Sequence, residues 1–152
     1  MTVMATSPPP HDERALIQYQ VVASRRAGFD SMMWQVPGLA LTAQAFLMTI
    51  ALSSDAGRLA RVTSGVLSIV VSFMSVQLLA KHRRHELADS IWLQEFEKTR
   101  GLPEIHGPAE ERCRAVGLPF KGLVKPRSHR VWAAGLTAFG LVGLGTAVLA
   151  LV

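Results

Sequence analysis

Apolar residues fall along this chain in blocks rather than stripes. Met32–Ser53 and Val62–Ala80 contain no Asp, Glu, Lys, Arg or His, are joined by the polar link Ser54–Arg61, and are followed by a third such block at Val131–Val152. At ~1.5 Å of rise per residue, about twenty residues reach ~30 Å, the thickness of a bilayer's hydrocarbon core. A soluble core would show polar residues at helical spacing inside these blocks. The pattern predicts an all-α integral membrane protein. A transmembrane helical hairpin occupies 32–80, with spans at 32–53 and 62–80 and an outer link at 54–61, and a C-terminal third transmembrane helix occupies 131–152.

The polar segments predict amphipathic cytoplasmic helices. In the N-terminal segment 1–31, Ser7-Pro8-Pro9-Pro10 reads as a polyproline lead-in. Leu16, Tyr19, Val22, Ala23 and Ala27 then recur at helical spacing among Arg14, Arg25 and Arg26. Such a helix lies along a membrane surface or packs on its own protein. In the basic segment 81–130, Lys81-His82-Arg83-Arg84-His85-Glu86 stops the second span, and the absence of Gly and Pro up to Lys98 predicts continued helix. Eight Gly and Pro residues then break the chain between Gly101 and Pro126, leaving one short helix that starts at Pro108 and stops at Gly117.

Small and hydroxyl residues suggest how the spans meet. Gln35, Gly38, Thr42, Ala45 and Thr49 form one seam on the first span, and Ser64, Ser68, Ser72 and Ser75 a matching seam on the second. Small residues allow close helix approach and hydroxyls bond across the contact. In an antiparallel hairpin Thr49 is expected level with Ser64, and Gln35 or Gly38 level with Ser75. The two seams either pack on each other or line a water path in an oligomer. Gln44 lies opposite the first seam and Gln77 off the second, which makes each a candidate inter-subunit contact. Pro37-Gly38 predicts a kink or a helix start. On the third span Ala133, Thr137, Gly140 and Ala147 share a face with Gly143 beside it, for packing on the hairpin or between subunits.

Charge adds a direction. The chain carries +5, with twelve Arg to four Lys, a usage that fits a GC-rich bacterial genome. Fourteen of the sixteen basic residues precede the first span or lie between 81 and 130; only Arg58 and Arg61 lie in the link. The positive-inside rule then predicts a cell (inner) membrane protein with its N-terminus in the cytoplasm and its C-terminus outside. Trp34 and Trp132 suit the headgroup edge of their spans. No nucleic-acid motif accompanies the basic charge, so no nucleic-acid partner is expected. The lone Cys113 excludes an intrachain disulfide, and Met1–Ser31 shows no signal peptide.

The chemistry on offer is thin. His82, His85, Glu86 and Asp89 share one helical face, a set that metals accept. They also form ordinary helix pairs four apart and match no His-Glu-x-x-His pattern, so no metal or cofactor is assigned. No phosphate-cradling loop, nucleophile elbow or cysteine-pair motif occurs, and no histidine or carboxylate lies inside a span. The expectation is a non-catalytic three-span accessory subunit or scaffold whose partners are the lipid bilayer and a protein or a second copy. Contact with partner or headgroups falls to Lys81, Arg83, Arg84, Trp92 and Phe96. The alternative is an oligomeric pore or membrane-perturbing effector with water along Ser64–Ser75. A small membrane enzyme using the His82–Asp89 face comes third.

Overall fold

The computed structural model describes residues 10–119 and 128–152, with side chains from Asp12 onward. The polyproline lead-in before Pro10 and the basic residues Lys121, Lys125 and Arg127 lie outside these residues, while Pro10 itself opens α1. Four helices and no strand occur among the described residues: α1 (Pro10–Leu52), α2 (Arg58–Thr99), α3 (Ala109–Ala115) and α4 (Ser128–Leu151). Three of them, α1, α2 and α4, are long and apolar enough to cross a membrane.

The two hairpin helices outrun the apolar blocks. With 43 and 42 residues, α1 and α2 are each ~60 Å long, about twice a hydrocarbon core. The expected N-terminal amphipathic helix and the first span are one helix, which runs through Pro37 rather than starting there. The polar halves of α1 and α2 therefore continue the hairpin as a two-helix stalk. Of the N-terminal apolar positions, Tyr19, Val22 and Ala23 are half-buried in that stalk, whereas Leu16 and Ala27 stay exposed.

The register is antiparallel and constant from end to end. Asp12 pairs with Arg100 at 2.8 Å, Tyr19 with Glu97, Arg26 with Glu86, Gln44 with Ser68 and Ser72, and Arg61 with the Ala51 carbonyl. α4 packs mainly against α2 and less against α1. Glycine permits that contact. A Cβ on Gly65 would lie 2.6 Å from the Gly143 carbonyl oxygen, and one on Gly143 would lie 2.7 Å from the Ser68 side chain.

The helix ends follow from local chemistry. Gly101 and Gly117 take positive φ (63° and 72°) after α2 and α3. Each is followed by a residue whose N–H reaches back five positions, Leu102 to Glu97 and Leu118 to Cys113, both at 2.9 Å. This glycine-terminated pattern satisfies carbonyls left open at a helix end. At the far end of the bundle Arg61 donates to Ala51 O at 3.2 Å and Arg58 to Leu151 O. The link's two cations thus sit on the negative ends of α1 and α4.

Candidate functional site

One face of α2 organises both halves of the hairpin. Its buried positions are Ser64, Gly65, Ser68, Ser72, Leu79, Glu86, Asp89, Leu93 and Glu97. The steps of mostly three, four and seven keep them in line. Serines and glycine fill the apolar half, where backbones approach closely. Carboxylates fill the polar half, where α1 supplies cations.

In the apolar half the partner is Gln44, which is fully buried. Its Nε2 donates to Ser68 O and Ser72 Oγ, each at 2.8 Å, and its Oε1 accepts from Ser68 Oγ at 2.5 Å. Ser68 and Ser72 are closed in by α1 on one side and by Gly140 and Gly143 of α4 on the other. The face expected to meet them lies outside. Gln35, Gly38, Thr42, Ala45 and Thr49 are all exposed. The level expected for Thr49 and Ser64 is right, but α1 is turned about half a revolution from the expected face.

The reason lies in how each polar group is satisfied. Thr42 and Thr49 bond carbonyls of their own helix, Gly38 O at 3.1 Å and Ala45 O at 2.9 Å, and Gln35 bonds Ser31 at 3.0 Å. These groups need no second helix. A glutamine amide with several donors and acceptors, placed in the middle of an apolar run, does. Gln44 is therefore an intrachain contact and not the inter-subunit one its position suggested. Gln77 is exposed and Ser75 half-buried. On α4, Gly140, Gly143 and Ala147 are buried as expected, together with Leu136 and Thr146. Thr137 is exposed and bonded to Ala133 O at 2.8 Å.

In the stalk, α1 meets the acids with arginines. Arg26 Nε donates to Glu86 Oε1 at 3.1 Å and Arg83 donates to Glu86 Oε2. Arg25 forks onto Asp89 at 2.9 and 2.5 Å. Its side chain stays 56% exposed, so this pair adds little stability in water-like surroundings. Its larger effect is to fix register, since a slip of one turn strands two buried carboxylates. The four residues of the candidate metal face are thereby separated. Glu86 and Asp89 serve arginines, while His82 and His85 lie against Phe29 at 5.9 and 5.2 Å between ring centres. No cluster of three His, Cys, Asp or Glu with metal-binding placement occurs among the described residues.

The most elaborate constellation is at the stalk tip, where the chain returns after α2. Glu97 is fully buried. Its Oε1 accepts from the Tyr19 hydroxyl at 2.8 Å and from His106 Nδ1 at 2.5 Å, and its Oε2 accepts from the His106 backbone N–H at 3.2 Å. We assign the Nδ1 proton to His106 because a carboxylate only accepts. Ser90 donates to His106 O at 3.2 Å. Burial pushes the Glu97 carboxyl up, but the hydrogen bonds from His106 and Tyr19 outweigh it and hold it below the usual range. Burial, and then the bond to Glu97, push the Tyr19 phenol up to about 12. The chain's own donors occupy both carboxylate oxygens. The arrangement clasps the segment after α2 onto both stalk helices.

The expected contact residues divide around this clasp. Lys81 and Arg84 are exposed, whereas Arg83 is engaged with Glu86. Phe96 is half-buried between Tyr19 at 5.1 Å and Trp92 at 5.4 Å, with the Arg100 guanidinium 4.9 Å over its ring. Trp92 keeps an exposed face. The sequence reading missed Tyr19, Glu97 and His106. One signal was present: Glu86, Leu93 and Glu97 continue the line of Ser72 and Leu79. His106 offered none, because it lies in an irregular segment.

Fold and site define a class: an all-helical chain with three helices long enough to cross a membrane and a hairpin prolonged into an ion-paired stalk. Comparison with protein-family models, with curated proteins and with solved structures finds no match.

Proposed function

We propose that this chain is a non-catalytic, three-span membrane adaptor that presents its stalk to a protein partner in the cytoplasm. One observation carries the reading. In the polar half of the hairpin, beyond the apolar blocks, large apolar side chains stand open one turn apart on α1: Ile17 at 53% and Val21 at 60%. Exposed apolar surface of this kind marks an interaction site. The ion pairs and the Glu97 clasp support a presenting role by holding that surface rigid. Three of the four serines that a pore would set against water, Ser64, Ser68 and Ser72, are buried within one chain, which favours the adaptor reading.

Photo-crosslinking side chains at Ile17 and Val21 are expected to give a discrete protein adduct in cells, while one at the apolar-half residue Phe46 gives lipid. Ile17→Asp with Val21→Asp should abolish the protein adduct formed through Trp92 without shifting the melting temperature. Unaltered capture in that double variant would refute the surface.

Orientation rests on basic charge alone: fourteen Lys and Arg precede the first span or lie between 81 and 130, and two, Arg58 and Arg61, lie in the link. Cys113 reports the side. It is half-exposed on α3, and a membrane-impermeant maleimide is expected to leave it unlabelled in intact cells and to label it after lysis. Labelling before lysis reverses the topology.

A further inference from the structure

We propose that the chain holds one glycerophospholipid, with a headgroup carrying both phosphate and amine, in the cleft between the stalk, α3 and the first turns of α4. The inference rests on the reading that the three helices cross a bilayer, not on the protein partner. The cleft has a volume of about 760 Å³.

Its position suits a lipid. Trp34 of α1 and Trp132 of α4 line it and meet edge to face at 6.4 Å between ring centres. Both mark the headgroup end of their spans, where indoles concentrate. From there the cleft descends into the polar half, past Arg26 and Asp30 on α1 and Arg83 on α2, with apolar wall from Met33 and Ile91. An amphiphile entering from the bilayer finds an aromatic mouth, then a charged interior.

Of the charged groups lining the cleft, Arg112 donates to Ile105 O and Glu110 accepts from Arg114. Arg26 and Arg83 both turn to one carboxylate, Glu86. Arg83 Nε has no acceptor within the chain; it is closed to solvent as it stands and meets a ligand in the cleft only when the guanidinium turns outward. A buried donor without an acceptor is unfavourable, and a native one calls for an explanation. A phosphate, with several acceptor oxygens, answers two guanidinium groups at once. The second charge sits beside it. Asp30 follows Arg26 by one helical turn, is exposed, and has no hydrogen bond or ion pair among the described residues. A headgroup whose amine lies two carbons from its phosphate meets both; a purely anionic headgroup sets its phosphate against Asp30 without compensation.

The test uses the purified full chain in a non-lipid detergent. Dihexanoyl-phosphatidylethanolamine, dihexanoyl-phosphatidylglycerol and inorganic phosphate are titrated against tryptophan fluorescence and melting temperature. The ethanolamine lipid is expected to bind saturably, about tenfold tighter than the glycerol lipid, and inorganic phosphate to give no response. Arg83→Gln should weaken both lipids about tenfold or more. Asp30→Asn should remove only the preference between them. The inference is overturned by inorganic phosphate binding as tightly as lipid, by an equal or stronger response to the glycerol lipid, or by Arg83→Gln that melts normally and binds unchanged. Where Arg83→Gln does not fold, an unaltered lipid preference in Asp30→Asn overturns it. Alkaline extraction tests insertion separately, so a chain that stays in membranes yet binds no lipid refutes this site alone.

Discussion

Gly65→Ala is expected to loosen α4 from the hairpin and to lower stability by about 2 kcal/mol, in the range of overpacked cores. The added methyl would lie 2.6 Å from the Gly143 carbonyl oxygen and 3.1 Å from the Ala147 nitrogen. Both are backbone atoms on a helix, so no rotamer change relieves the collision. Only a shift of α4 does, and that shift pulls Gly140 and Gly143 away from Ser72 and Ser68 along the whole contact. Gly145→Ala is the matched control. It lies on the same helix as Gly143, with nothing within 4 Å of the new methyl. There the substitution gains helix propensity, worth up to about 1 kcal/mol, and stability should stay level or rise. Denaturant titration of the two variants in detergent reads the difference. Equal stability of both would mean that α2 and α4 do not meet at glycine distance.

The second large effect is at the stalk tip. Glu97→Ala removes the buried acceptor of three half-buried donors and is expected to cost about 3 kcal/mol. Glu97→Gln keeps the shape and exposes the electrostatics. Tyr19 is the chain's sole tyrosine, so the near-ultraviolet phenolate signal belongs to one residue. It should titrate at about 12 in the native protein. In Glu97→Gln it should fall part of the way toward its ordinary value. The fall is partial because burial, the leading cause, remains. A native-like Glu97→Gln with an unchanged titration would show that Tyr19 does not face this carboxylate.

The same two groups set the pH limits of the stalk. The folded Glu97 carboxyl lies below its unfolded value near ~4.3, so its contribution is complete above that value and is lost as pH falls through the folded one. The folded Tyr19 phenol lies above its unfolded value of about 10. Its contribution is complete below ~10 and disappears as pH rises through about 12. The contribution of these two groups should therefore be flat across neutral pH and fall at both extremes.

Much of the fold was legible in residue order. Hydropathy is a local sum, and it places the three apolar blocks without knowledge of any neighbour. Glycine and proline place the breaks: α3 stops before Gly117 as expected, and it starts at Ala109, with Pro108 as its cap rather than its first helical residue. The extension of α2 through Lys98 follows from uninterrupted helix formers. Even the antiparallel level of the two spans follows from a short link. The faces did not follow. Periodicity marks a small-residue seam at Gly38, Thr42 and Thr49, but it does not reveal that threonine hydroxyls turn back on their own helix and leave that seam free to face outward. Gln44 breaks the pattern, and it wins the interior because nothing on its own helix can satisfy its amide.

The amino-acid sequence by itself determined that this chain is helical, how many helices are long and apolar enough to cross a bilayer, and where the basic charge lies. Those properties are additive along the chain. Only the tertiary structure decided that Gln44 meets Ser68 and Ser72, that Arg26 and Arg83 share Glu86, and that Glu97 gathers Tyr19 and His106 from distant parts of the chain. These depend on the rotation of each helix about its axis. Competition among all polar groups for buried partners sets that rotation, and the spacing of residues within one helix does not contain it.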